Sequence, residues 1–496
     1  MSENDNRINK ESRQPDHWIP GVESNHELSD AGSGADGAAG GSGMGGTGTG
    51  GSGMGASGMG STGGASPMGD GGGGPRGWYR KPLVLAGLGI LVVAIAAGAV
   101  LAVKMRGSST ASGEQAVTAG ATTSTDSVID SPFSTTKQQI AAMSVEEKVG
   151  QMMMIGFNGK SADDTLKHFI NDDHIGNILI QGGNVDSTQQ IASLDDSLQQ
   201  MAAGANQPAK LMIAAAQEGG KTRLFQDIGP NYSEPFIGDM HGGAGGMAAQ
   251  QTSAEAARQL KSIGINVNLA PDADVTIGWE SIIDARSYGN DPEVVTELTG
   301  AAVKGYIDAT TISCTKFFPG LGSAETSPEK ELPVVDSDRS TIDSQDLPPF
   351  KEAIKDGAPM IMVADVAYPA LDPAKAPASL SRPIMTDLLR GQLGFQGVVI
   401  TDDLGMDAIS QNPGDAAVAA IAAGADIVTF DDPAKQQQAF DAIVAAVKSG
   451  KLSMDDINQS VARILDMKKK YRLERPEASA GIDAGAGTTA TSGGNQ

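Results

Sequence analysis

The sequence predicts an α/β fold, a (β/α)8 barrel over residues 132–475, on three observations. Short apolar runs alternate with helical patterns, there are eight such runs, and charged or polar residues gather just past their C-terminal ends. In order the runs are MMMIGF (Met152–Phe157), NILI (Asn177–Ile180), LMIAAA (Leu211–Ala216) and INVNLA (Ile265–Ala270). They continue with ISCTKF (Ile312–Phe317), MIMVAD (Met360–Asp365), GVVIT (Gly397–Thr401) and ADIVTF (Ala425–Phe430). Helical stretches such as Ala254–Ile263, Pro292–Ile307 and Pro383–Gln392 separate them. Eight strand–helix units in this length suit a closed barrel with insertions. A doubly wound open sheet is the alternative, but its glycine fingerprint is absent after the first run, where GFNGKS stands instead.

The rest of the chain reads differently. Of 65 glycines about a third fall between Gly32 and Gly77, in phrases such as GSGMGGTGTGGSGMGASGMG. Residues 1–77 bury too little apolar surface to offset the entropy of ordering and are expected to be a disordered, Gly/Met-rich tail. Residues 83–103, LVLAGLGILVVAIAAGAVLAV, carry no charge. Such a run is long enough to cross a bilayer's hydrocarbon core, about 30 Å, as a helix. Arg76, Arg80 and Lys81 flank one end with Trp78 and Tyr79, and Lys104 and Arg106 the other. The expectation is a single-pass helix in the cell membrane, the lipid bilayer being a partner, with the C-terminal domain extracytoplasmic. Residues 104–131 then form a Ser/Thr-rich stalk, and residues 476–496 return to low complexity as a second disordered tail.

Composition excludes several function classes. The chain has 496 residues and 36 Lys and Arg against 60 Asp and Glu, a formal charge of −24. That balance opposes nucleic acid as a partner, since phosphate binding needs clustered positive charge. The one cysteine, Cys314, precludes an intrachain disulfide framework and a multi-Cys zinc site. The five histidines, His17, His26, His168, His174 and His241, lack ligand spacing, so no metal and no cofactor is expected.

In a barrel, side chains at the C-terminal strand tips converge on one mouth. Here they are Asn184, Gln217, Glu218, Asp272, Asp274, Lys316, Asp365, Asp402 and Asp403. A charge after an apolar run also serves as a strand terminator or helix cap, and Asp403 suits that role. Several acids beside a lysine and an arginine suit a polyhydroxylated ligand, and paired acids drive glycoside hydrolysis.

The phrases SVEEKVGQMMMIGF, HIGNILIQGGNV, QEGGKTRL, LKSIGINVNLAPDADV, RSYGNDPEVV, KFFPGLG, LGFQGVVITDDLGMDAI and AIAAGADIV occur in one ordered series. From about Ser144 to Leu473 the chain resembles the N-terminal TIM-type barrel of glycoside hydrolase family 3, in particular the single-domain bacterial β-N-acetylhexosaminidases. The resemblance implies hydrolysis of O-glycosyl bonds of β-linked N-acetylglucosamine, in a saccharide or cell-wall glycan. It implies that Asp402, opening the TD-x-L-x-M phrase, is the nucleophile, and that Arg286 of RSYG and Lys316 of KFFPG hold the sugar.

Other motif positions depart from the family. The Asp before QEGG is Ala216, both histidines of K-H-F-P-G-H-G are lost, to Phe317 and Leu321, and the histidine after the sixth run is Asp365. The following D-S-H loop, source of the family's acid–base pair, reads Ser327, Pro328 and Glu329. A retaining mechanism needs a proton donor beside its nucleophile, so Glu329 is the candidate acid–base group. Lys330 and Glu331 after it suit an ordinary solvated charge run instead. The alternative function is a catalytically degenerate barrel that binds glycan or serves as a scaffold at the cell surface.

Overall fold

The computed structural model describes residues 136–240, 243–277, 281–283 and 285–475. Eight parallel strands close into a barrel: β1 Met153–Ile155, β2 Asn177–Leu179, β3 Met212–Ala215, β4 Val267–Asn268, β5 Ile312–Phe318, β6 Met360–Val363, β7 Val398–Asp403 and β8 Ile427–Phe430. Each pairs with its sequence neighbours, and β1 closes the ring against β8 through Met153↔Val428 and Ile155↔Phe430. Every strand residue is buried. Inward side chains fill the barrel and outward ones meet the helices, so each strand shows in the sequence as a continuous apolar run.

The helices follow from their ends as much as from their periodicity. Ser144 and Glu147 form a reciprocal capping box on Val145–Gln151, at 3.1 and 2.6 Å. Helices Pro292–Asp308, Pro413–Ala423 and Pro433–Lys448 each open on proline after a capping Asp291, Asn412 or Asp432. Proline loses nothing at that position, where its missing N–H would have had no partner within the helix. Pro383–Gln392, read from the sequence as an ordinary helix, is wound as a π-helix.

Below the barrel, Asp426 precedes β8 fully buried. It accepts from Arg390 at 2.5 Å, from Arg463 at 2.8 Å and from the Val399 N–H at 2.9 Å. One carboxylate thus ties β7, β8 and two helices at the end remote from the mouth.

The membrane expectation is corrected here. Among the described residues no helix is long and apolar enough to cross a membrane. The described residues therefore give no support to the transmembrane helix, to the lipid bilayer as partner, or to the cell-membrane, extracytoplasmic location. Residues 83–103, and the expected tails and stalk at 1–77, 104–131 and 476–496, lie outside the described residues.

Candidate active site

The strand tips bring together a buried cluster of acids around two cations. After β3 the chain turns back as a short antiparallel hairpin, Gln217–Gly219 with Thr222–Arg223, which the sequence did not announce. Asn268 on β4 clamps its start, accepting from the Gln217 N–H and donating to the Gln217 carbonyl, both at 2.9 Å. The turn needs glycine: Gly219 has φ +129°, and a Cβ there would stand 2.2 Å from the Tyr232 carbonyl oxygen.

This hairpin delivers Glu218 to the centre. Arg286 donates to both its oxygens, Nε to Oε2 at 3.0 Å and Nη2 to Oε1 at 2.6 Å, while Lys316 Nζ lies 2.5 Å from Oε1. Arg286 Nε also lies 3.9 Å from Asp272 Oδ2. Burial alone would raise the Glu218 carboxyl, but the charges of Arg286 and Lys316 outweigh it and hold the group at about 2. Glu218 is therefore ionised at any ordinary pH and neutralises much of the positive charge beside it.

Asp402 stands at the tip of β7, 1% exposed. The Asp403 N–H donates to its Oδ1 at 3.0 Å, and its Oδ2 has no hydrogen-bond partner. Burial raises its carboxyl to about 7, against the opposing pull of the Asp403 N–H, Lys316 and Arg286. A buried oxygen without a partner is costly in a folded chain and recurs where a ligand completes the site. Next to it, fully buried Asp365 past the tip of β6 accepts from the Ser379 hydroxyl, and burial and the Asp402 charge push its carboxyl well up.

The other strand-tip residues divide by role. Asp403 is the terminator its position suggested, accepting from Gly405 N–H at 2.9 Å and Asp431 N–H at 3.2 Å. Asn184 donates to the carbonyls of Phe157 and Gly159, and Gln217 to those of Phe225 and Gly229, so both hold loops. Asp274 accepts from the Leu321 N–H at 2.6 Å and ties two loops of the mouth.

Phe317 and Leu321, where the family pattern has histidines, are fully buried. The Phe317 ring lies 5.0 Å from the Arg286 guanidinium carbon and 5.2 Å from Lys316 Nζ, within cation–π range of both. The cations thus have an aromatic face on one side and Glu218 on another. Glu329 is not in this cluster. Its side chain is exposed, on the loop after Leu321, and its N–H turns back on Ser327 Oγ at 3.3 Å. Partial desolvation and the charge of Asp431 raise its carboxyl, against the pull of Lys330 and Arg286.

One member of the cluster had no sequence signal. Glu234 lies on the short helix Glu234–Gly238, inside no apolar run, yet it is buried with Oε1 3.3 Å from the Asp272 N–H. Burial and the charges of Asp272 and Glu218 push its carboxyl far up. Among the described residues no group of acids, histidines or cysteine has the arrangement of a metal site.

A (β/α)8 barrel with buried carboxyls and two cations at its strand tips is the scaffold of an enzyme-type fold whose chemistry lives at the C-terminal face. Its sequence narrows that class: residues 144–467 match the Glycosyl hydrolase family 3 N terminal domain, and the chain belongs to that family. It is 37% identical over 343 residues to "Beta-hexosaminidase A" of Pseudoalteromonas piscicida, covering 64% of this chain and 56% of that one. Among solved structures it is similar to a glycoside hydrolase family 3 β-N-acetylglucosaminidase from Paenibacillus sp. str. FPU-7, with TM-score 0.63 and 36% identity over 71% of this chain and 65% of that one. It is similar also to the β-N-acetylhexosaminidase of Beutenbergia cavernae, with TM-score 0.62 and 28% identity over 66% of this chain and 99% of that one. The chain therefore spans little more than half of the first relative and about two thirds of the second.

Proposed function

We propose that the barrel hydrolyses O-glycosyl bonds of β-linked N-acetylhexosaminides, with N-acetylglucosamine as the sugar at the mouth. The observation that carries this reading is Asp402: a buried strand-tip carboxylate with one bare oxygen, under the charges of Lys316 and Arg286. In the proposed reaction Asp402 attacks the anomeric carbon, the leaving oxygen takes a proton, and water then releases the glycosyl-enzyme. Lys316 and Arg286 are assigned to hold the sugar, and Glu329 is the candidate proton donor. The named relatives, hexosaminidases and N-acetylglucosaminidases, support the substrate class.

A second reading, sugar binding without turnover, is favoured by a specific observation. Both cations are already paired to Glu218, and apolar Ala216 and Phe317 stand where the family places polar groups. One measurement separates the two. The full chain should release the phenol from an aryl β-N-acetylglucosaminide, and Asp402→Asn should remove that release. Equal slow release by both forms leaves only the binding reading.

A further inference from the structure

Two aromatic rings lie in water on the segment that brings Glu234 to the mouth. Tyr232 and Phe236 are 53% and 51% exposed and stack on each other, centroids 5.1 Å apart and planes 17° from parallel. Their backbone is tied to the cluster on both sides. The Tyr232 carbonyl presses on Gly219, the residue after Glu218, and Glu234, between the rings in sequence, turns inward to meet the Asp272 N–H. Ile237 anchors the same short helix in a core with Val275 and Tyr288. Just before Tyr232, Asn231 accepts from Arg223 Nη1 at 2.9 Å, which fixes the orientation of its amide.

We infer that Tyr232 and Phe236 form a stacking platform for the neighbouring sugar ring of a β-linked oligosaccharide whose terminal sugar occupies the mouth, with Asn231 as a hydroxyl partner. The inference rests on the reading that the mouth takes a saccharide. A pyranose presents a flat C–H face and a rim of hydroxyls, and paired rings with an oriented amide on the adjoining residue suit both. The area decides against a protein partner. Two half-exposed rings offer roughly 200 Å², whereas a stable protein interface needs about 800 Å² from each side.

Calorimetric titration of the full-length Asp402→Asn chain with N-acetylglucosamine and its β-1,4-linked disaccharide and trisaccharide tests this. Affinity should climb on the order of tenfold from the monosaccharide to the disaccharide, the scale of one aromatic contact. Tyr232→Ala and Phe236→Ala should each remove most of that gain and leave monosaccharide affinity unchanged, while Phe236→Tyr, which keeps a ring, should retain it. A gain that survives in the double alanine variant, or no gain in the parent chain, overturns the platform. If none of the three saccharides binds, the saccharide reading falls and the platform with it.

Discussion

In the proposed reaction Asp402 is the nucleophile, and its environment makes a pH test. A carboxylate attacks only when ionised, and burial lifts this one to about 7 from an ordinary 3.8. kcat/KM on an aryl β-N-acetylglucosaminide should therefore fall as pH drops through about 7, where an ordinary aspartate would leave the profile flat to pH 5. A rate profile flat between pH 5 and 8 would mean that Asp402 titrates as an ordinary aspartate, without the lift that burial gives it. Glu329 has its own test. If it donates the proton, Glu329→Gln should slow poor leaving groups about 10²–10⁴-fold and barely affect good ones. Equal slowing across leaving groups excludes it and matches an exposed residue of a charged loop.

At the scale of elements, the barrel separates function from support. Strand tips at the mouth hold unpaired carboxyl oxygens, while the opposite end holds Asp426, whose oxygens are shared among two arginines and a backbone N–H. Asp426→Ala should leave both arginines without their buried counter-charge and cost about 3–5 kcal/mol in denaturant unfolding. Its effect on the activity per folded molecule should be small. A loss below 1 kcal/mol would mean that the arginines find water instead. The hairpin at Gln217–Gly219 and Thr222–Arg223 is the contrasting element, two short strands whose value is to aim one carboxylate.

At the scale of the whole molecule, the buried acids make stability depend on pH. Burial raises Asp272 to about 6 and Asp346 and Asp402 to about 7, from 3.8. Between about pH 4 and 7 the folded chain keeps protons that the unfolded chain has released, so stability falls as pH rises through that window. Glu218 acts oppositely, because its carboxyl is lowered to about 2 from 4.5, and its contribution is lost only as pH falls below 4.5. Buried Lys468, lowered to about 7 from 10.5, adds stability only as pH rises above 7. The calorimetric unfolding midpoint of the ligand-free chain should therefore be highest near pH 5 and lower at pH 7. A midpoint that rises steadily from pH 5 to 7 would contradict the buried cluster.

The order of apolar runs determined the barrel, because a strand buried on both faces has to be apolar throughout, and eight such runs leave few ways to close a sheet. Strand ends in turn identified Asp402 and Lys316, since a tip residue's position follows from where its run stops. Tertiary structure alone decided that Glu218 meets Arg286, 68 residues away, and that Glu234 joins them from a short helix. Those meetings depend on the paths of the loops after each strand, and loops carry no hydrophobic period from which a partner can be read.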